Sequence, residues 1–308
     1  MGAWSTSLYG NDFAMDLRSA IGAVVRLPFE PDHLVELLAD TEPGAANAPA
    51  DPDHATFWLV VADQFAKRGI VVPRVHEKAF RLIDSAAIDA AALGMPPADV
   101  RKRVKILEEL RTRLLAMPAE SRPRTVLRKP QAFVLDVGQV VIYPTDLGNH
   151  INPYYKSKTL ITHWTKDGTR PWTADGWGAL VVVERDRAFD YLTWYRAVVA
   201  ARSTVARPSL ETVLAADVEW RLTRPGTVTA LHMKRMEFEP IGQVAIDATR
   251  LAALFPTRPS GRTYAISDIS IANDMHTIPA RPDELRERLS RRLALSRAFT
   301  GLRQLLAT

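Results

Sequence analysis

Residues 117–130 read MPAESRPRTVLRKP, and this stretch divides the 308-residue chain into two parts with different periodicities. It holds three prolines and several charged residues, a composition typical of an extended linker. Apolar residues before it recur every three or four positions, whereas β-branched and aromatic runs follow it. We predict an α+β protein with an N-terminal helical bundle (1–117), a basic proline-rich linker (118–130) and a mostly antiparallel β domain with a C-terminal helix (131–308).

Five helices are predicted before the linker, because apolar residues there recur at helical spacing. Asn11 or Asp12 can cap the first helix, and Gly69 suits the left-handed C-cap of the third. The stretch at residues 41–53 contains proline and glycine and is predicted to be a loop. The five helices are expected at residues 13–24, 31–38, 53–69, 73–86 and 97–114.

The second part combines predicted strands with two predicted helices. Strands are expected where β-branched and aromatic residues lie between turn-forming residues, and Asp167-Gly168 is typical of a hairpin turn. The predicted strands are residues 133–143, 158–164, 179–183, 217–222, 227–233 and 243–246. Helices are predicted at 188–201 and at 282–306, where apolar residues recur along one face.

Composition excludes several classes of protein. The chain has no cysteine, which excludes disulfides, thiolate zinc sites and cysteine nucleophiles. No apolar run approaches the roughly 20 residues of a membrane span, so we expect a cytoplasmic protein without membrane contact. The histidines lack metal-binding spacing, and no phosphate-binding or nucleophile motif occurs. We therefore assign no catalytic residue, metal or cofactor, and the oligomeric state stays open.

The opening sequence MGAWSTSLYGNDFAMD is the most distinctive segment of the first part. It offers Trp4, Asn11, Asp12 and Asp16 as one aromatic anchor and three polar groups. One interpretation is structural: the tryptophan packs on the first helices while Asn11 or Asp12 caps. The other interpretation is that these four side chains line a binding site.

This segment resembles the N-terminus of an uncharacterised bacterial family, a domain of unknown function that begins M-G-x-W-G-x-G-x-x-x-N-D-x-A-x-D. Serines at positions 5 and 7 stand where that pattern has glycines. The resemblance extends to residue 117 or so and implies a helical fold without an assigned activity. The matching residues are Met1, Gly2, Trp4, Asn11, Asp12, Ala14 and Asp16.

A second motif, DVGQVVIYPTDLG at residues 136–148, follows the linker. It resembles the V-G-D-V-x-A-x-P-x-x-x-G opening of β-rich immunity proteins from bacterial toxin systems, with Gln139 in place of the aspartate. The resemblance implies a β domain that binds a partner protein and performs no catalysis. The matching residues are Val137, Gly138, Val140, Pro144 and Gly148.

Basic residues concentrate between Arg101 and Lys129, where ten cations face three glutamates. This surplus exceeds the net charge of +5 for the whole chain. Such a strip can contact phosphate or an acidic protein, but a solvated helix face and linker would have the same composition. The candidate anion or nucleic-acid contacts are Arg101, Lys102, Arg103 and Lys105.

Aromatic residues concentrate in the β part. Trp172 and Trp177 lie in a loop-like segment, KDGTRPWTADGWG, where exposed aromatics favour binding. With Tyr154 and Tyr155 they are the predicted partner-binding residues. Trp164 and Trp194 are predicted to belong to the core.

We therefore predict a non-enzymatic protein-binding factor, an immunity or antitoxin-like protein that neutralises a toxin by occlusion. The alternatives are a nucleic-acid-associated protein that uses the basic helix and linker, and a hydrolase or transferase whose catalytic residues are distant in sequence.

Overall fold

The structure is a computed structural model, and it divides the chain into two compact units, one up to Lys129 and one from Pro130. Helices dominate the first unit and an antiparallel sheet the second, so the predicted α+β class is confirmed. No helix in the described part of the chain is long and apolar enough to cross a membrane. The structure describes residues 6–92, 95–146, 149–151, 163–165, 168–170, 173–200, 204–215, 219–223, 226–255 and 298–307.

The described residues of the helical unit form all five predicted helices and one further short helix. The extra helix begins at Pro43 inside the predicted loop, because proline suits the first helical position and two alanines of this turn become buried. The six helices are α1 (Asp12–Val24), α2 (Pro31–Thr41), α3 (Pro43–Asn47), α4 (His54–Lys67), α5 (Pro73–Ala92) and α6 (Pro97–Leu115).

Helix α4 is the centre of this unit, since it packs against α1, α3, α5 and α6. Its residues from Phe57 to Phe65 are all buried. Two predicted helix ends are confirmed: the Asn11 side chain accepts a hydrogen bond from the Ala14 amide at 2.8 Å, and Gly69 follows α4 with φ +67°.

The predicted linker has neither helix nor strand, but it is fastened to the helical unit. The Arg122 amide donates to the Gly69 carbonyl at 2.8 Å, and the Leu127 amide donates to the Arg26 carbonyl at 2.7 Å. The Arg124 guanidinium donates to the carbonyls of Val25, Leu27 and Phe29 beyond α1. A segment predicted as an extended linker is therefore an ordered part of the helical unit.

The second unit is built on one large antiparallel sheet with short helices. A separate pair of strands joins Thr165 to Gly168; Gly168, predicted as a turn residue, lies in a strand, and Asp167 lies outside the described residues. The elements are β1 (Gln139–Asp146), β2 (Asn149–His150), β3 (His163–Thr165), β4 (Gly168–Arg170), β5 (Gly176–Ala188), β6 (Leu192–Ala200), α7 (Leu210–Ala215), β7 (Glu219–Leu222), α8 (Ala230–Met236), β8 (Glu239–Gln243), α9 (Ala248–Leu254), β9 (Ala298–Thr300) and a 3-10 helix (Leu302–Leu305).

The sheet has the strand order β2-β1-β5-β6-β7-β9, and β8 also pairs with β1. One face packs against Val213 of α7, Leu251 of α9 and the leucines of the 3-10 helix. The other face packs against Leu135, Met236 of α8 and Phe238. Both faces of the central strands are therefore buried.

This double burial explains the largest error of the sequence prediction. Residues 188–201 are predicted as a helix, but residues 188–200 form the end of β5, a turn and the strand β6, all nine residues of which are buried. A strand covered on both faces is apolar at successive positions, so the alternation that marks a strand is lost. Phe189 and Asp190 make the turn with φ of 53° and 62°.

Three other predicted elements differ from those in the structure. Residues 227–233 are predicted as a strand, but α8 begins after Thr229, whose hydroxyl accepts from the His232 amide at 3.3 Å. Before β1, residues 133–138 are irregular and end at Gly138, whose φ is +84°. The strand predicted at 243–246 is wrong in position, because β8 covers Glu239–Gln243 and shares only Gln243 with the prediction.

The long helix predicted at 282–306 is wrong for the part of it that the structure describes. Residues 298–300 form β9, and residues 302–305 form a 3-10 helix. Leu302 and Leu305 are fully buried. Because a 3-10 helix has three residues per turn, these two leucines lie on the same face and both pack into the core. Residues 282–297 lie outside the described residues.

Candidate functional site

A polar cluster around Asp63 joins three parts of the helical unit. Asp63 lies on α4 with a side chain that is only 4% exposed. Its carboxylate accepts from the Tyr9 hydroxyl, from Lys67 Nζ at 2.6 Å and from the Arg113 guanidinium of α6. The carboxylate therefore fixes the segment before α1 and the end of α6 onto α4.

Gln64 extends this cluster. Its amide Nε2 donates to the Tyr9 hydroxyl and, at 3.2 Å, to Asp63. The Arg68 guanidinium donates to the Gln64 carbonyl at 2.9 Å and to its Oε1 at 2.6 Å. The pairs Asp63–Lys67 and Gln64–Arg68 are each four residues apart, which places them side by side on one helix.

Cations also cover the ring of Tyr9. Arg18 Cζ and Lys67 Nζ each lie 5.3 Å from the ring centroid, within the range of a cation–π contact. Within the described residues, neither Arg18 nor Arg68 pairs with a carboxylate. The cluster thus contains four cations and one carboxylate, a surplus of three positive charges, and only Lys67 and Arg113 bind the carboxylate directly.

Burial and charge together set the protonation states of the cluster. Burial alone would raise the pKa of Asp63, but hydrogen bonds from Lys67 and Tyr9 and the nearby cations hold that pKa below its usual value. Burial, and next the hydrogen bond to Asp63, raise the pKa of Tyr9. At neutral pH Asp63 is ionised and Tyr9 is a hydrogen-bond donor.

The outer side of this cluster is exposed. Met15 is 43% exposed and lies three residues before Arg18 on α1, so the two side chains are neighbours. Lys67 and Arg68 are exposed at the end of α4. We call the set Tyr9, Met15, Arg18, Lys67, Arg68 and Arg113 the Tyr9 surface.

The four candidate residues of the N-terminal motif have different surroundings in the structure. Asn11 caps α1, as expected. Asp12 is exposed in the first turn of α1, and Asp16 is half-buried, with a pKa that burial and then the charge of Asp12 raise. Trp4 lies outside the described residues. Asn11 is thus a capping residue, and the binding role of the other three stays a prediction.

The structure does not bring the four predicted anion contacts into one site. Arg103 donates to the Thr6 carbonyl at 3.4 Å and the Ser7 carbonyl at 3.0 Å, and burial lowers its pKa. Lys102 pairs with Asp99 at 3.3 Å. Arg101 and Lys105 are exposed. Neither forms an ion pair with another described residue.

Other cations of the basic stretch are also engaged. Arg111 pairs with Asp84 and with Glu108, Arg113 pairs with Asp63, and Arg124 donates to carbonyls beyond α1. Half of the ten cations thus hold the fold together. The remaining five are exposed, and they are Arg101, Lys105, Arg122, Arg128 and Lys129.

Most predicted partner-binding residues of the β unit, namely Tyr154, Tyr155 and Trp172, lie outside the described residues. Trp177 lies in β5 instead of the predicted loop, half-buried against the core, with Arg207 Cζ 5.6 Å from its ring. Trp194 is buried, as expected. The structure therefore gives Trp177 a packing role, and partner binding by these aromatics stays a prediction.

Two titratable groups are buried in the β1–β2 hairpin. The Asp146 carboxylate accepts from the Thr173 amide at 2.9 Å, and His150 Nδ1 lies 2.8 Å from the Ile151 carbonyl. Burial lowers the pKa of His150 to about 4. Among the described residues there is no group of histidines and carboxylates that could hold a metal ion.

Comparison with known proteins adds no relative to this description. No protein-family model, no curated protein and no solved structure matches the chain. The two resemblances given by the sequence motifs therefore stay predictions. The candidate site rests on its geometry and charge alone.

Proposed function

We propose that the protein is a cytoplasmic, non-enzymatic binding factor that engages an acidic partner protein through the Tyr9 surface. In this proposal it is an immunity-type protein that neutralises a toxin by occlusion. The observation that carries the proposal is the concentration of four cations around one buried carboxylate, on three fixed elements of the helical unit. Complementary charge of this kind directs association and selects the partner.

The composition of the Tyr9 surface supports a protein partner. Arginine, tyrosine and methionine are enriched where proteins bind one another, and the first two dominate binding hot spots. Here Tyr9 is held by its hydroxyl and Arg68 by Gln64, so little side-chain freedom is left to lose on binding. The carboxylates of a partner would find Arg18 and Arg68 without competing carboxylates.

The alternative partner is a nucleic acid, and the five exposed cations between Arg101 and Lys129 favour it. A phosphate backbone needs cations along an extended track. Five of the ten cations between Arg101 and Lys129 bind groups within the fold, so they do not form a continuous track. The cations of the Tyr9 surface are grouped around one carboxylate. We therefore prefer the acidic protein.

Two double variants with equal loss of charge test the proposal. Arg18→Gln with Arg68→Gln removes two cations from the Tyr9 surface, and Arg101→Gln with Lys105→Gln removes two from the outer face of α6. The partner is first identified by crosslinking and co-purification from the native cell, and its affinity is then measured by calorimetry.

We expect the Tyr9-surface variant to bind at least about tenfold more weakly, because each lost charge-assisted contact contributes about 1.5–3 kcal/mol. The α6 variant should bind nearly as the parent does. Equal effects of the two variants would contradict the proposal. Binding of a single-stranded DNA oligonucleotide at low salt that only the α6 variant loses would favour the nucleic-acid alternative.

A further inference from the structure

A cleft of about 270 Å³ opens in the helical unit between α5, α4 and the end of α3. One side is lined by Asn47 and by Ala46 and Trp58, which we call the apolar wall, and Arg74, Glu77, Lys78 and Arg81 of α5 form the polar wall. The four α5 residues follow the spacing of three and four positions that aligns side chains along one helix face. The cleft is separate from the Tyr9 surface in its lining residues.

The apolar wall is held in place by buried hydrogen bonds. Trp58 Nε1 donates to the Ala46 carbonyl at 3.0 Å. Next to it, His54 Nδ1 lies 2.8 Å from the Ala45 carbonyl. Trp58 is 6% exposed, so its ring is fixed by packing as well. This wall is therefore formed before any ligand arrives.

The cations of the polar wall differ in how they are compensated. Arg74 Nε lies 3.2 Å from Asp32, and its NH2 lies 3.6 Å from Glu36. Arg81 pairs with Glu77 one turn earlier on α5.

Lys78 has no ion pair within the described residues, and its Nζ lies 5.7 Å from the centre of the Trp58 ring. The cleft thus presents one cation without a carboxylate beside an apolar wall.

We propose that this cleft binds a small apolar carboxylate, with the carboxylate on Lys78 Nζ and the apolar body against Trp58 and Ala46. A single free cation suits an anion with one charge, because the guanidiniums that would bind a phosphate in pairs already have carboxylate partners. The volume equals that of roughly nine water molecules, so the ligand has on the order of ten non-hydrogen atoms. This proposal does not depend on the partner protein.

Benzoate and benzamide test the proposal, because they have nearly the same shape and differ in charge. Binding is measured on the full-length protein by calorimetry and by the NMR shift of the Trp58 indole N–H, which a Trp58→Phe variant assigns. Inorganic phosphate is the third probe. Lys78→Met removes the free cation of the cleft, and Lys105→Met removes an exposed cation of α6 as the matched control. Thermal unfolding shows that each variant is folded.

We expect benzoate to bind at least about tenfold more tightly than benzamide, because only benzoate forms a charge-assisted contact. The difference should disappear in Lys78→Met and persist in Lys105→Met, and the Trp58 indole signal should shift with benzoate. Equal binding of benzoate and benzamide, an equal loss in both lysine variants, or tighter binding of phosphate would each overturn the proposal.

Discussion

Replacing Asp63 with Asn tests whether the buried carboxylate holds the helical unit together. The substitution keeps the size of the side chain and removes the charge that Lys67 and Arg113 share. Exposed ion pairs contribute about 0–1 kcal/mol, and breaking a fully buried pair costs about 3–5 kcal/mol. Here the carboxylate is 4% exposed and the two cations are 47% and 41% exposed. We therefore expect an intermediate loss, about 2–3 kcal/mol of unfolding free energy at pH 7.

Urea unfolding followed by far-ultraviolet circular dichroism measures this loss. Asp84→Asn is the matched control, because Asp84 also pairs with an arginine of α6 but is 66% exposed. We expect that control to lose less than about 1 kcal/mol.

The effect of Asp63→Asn should also depend on pH. The pKa of Asp63 in the folded protein lies below its usual value, so its contribution is complete above pH 4 or so and is lost as the pH falls through the folded pKa. The parent and Asp63→Asn should therefore converge in strong acid. A loss at pH 7 no larger than that of Asp84→Asn, or a difference that is independent of pH, would refute the reasoning.

Two further predictions concern the β unit. Because burial lowers the pKa of His150 to about 4 from 6.5, stability should be complete above pH 6.5 and fall as the pH drops towards 4, in total by about 3 kcal/mol at 1.36 kcal/mol per unit. Urea unfolding at pH 7 and pH 4.5 should show a smaller difference for His150→Gln than for the parent or the exposed control His33→Gln. A Cβ at position 178 would overlap the buried ring of Tyr143, so Gly178→Ala should lower the free energy of unfolding by about 1–3 kcal/mol. Gly22→Ala, which meets no atom within 4 Å, should not destabilise, and equal effects of the two glycine changes would contradict the packing argument.

The helices could be predicted from the sequence because their signals are local. The cap at Asn11 and the left-handed Gly69 lie within a few residues of the helix ends that they determine. Strand β6 could not be predicted in this way, because its burial depends on α7, α9 and α8 packing on two faces of a sheet. Only the assembled sheet distinguishes its continuous apolar run from a helix.

The candidate site was only partly accessible from the sequence. The spacing of Asp63 and Lys67 is visible as a pair on one helix face. Tyr9 lies 54 residues from Asp63 and Arg113 lies 50 residues from it, so the sequence alone does not indicate that they meet. The composition of the basic stretch suggests a strip of available cations, but Arg103 and Arg124 bind carbonyls that lie more than 90 residues away in the sequence. The sequence alone does not indicate these contacts.

The position of β9 and the 3-10 helix has a consequence for synthesis of the protein. The six helices of the helical unit all precede residue 130 and are synthesised before the sheet, so they can begin to pack while translation continues. The sheet is completed only at the end of synthesis, because Phe299, Leu302 and Leu305 cover one of its faces. Until they emerge, the growing chain presents an uncovered apolar sheet, the kind of surface that chaperones bind.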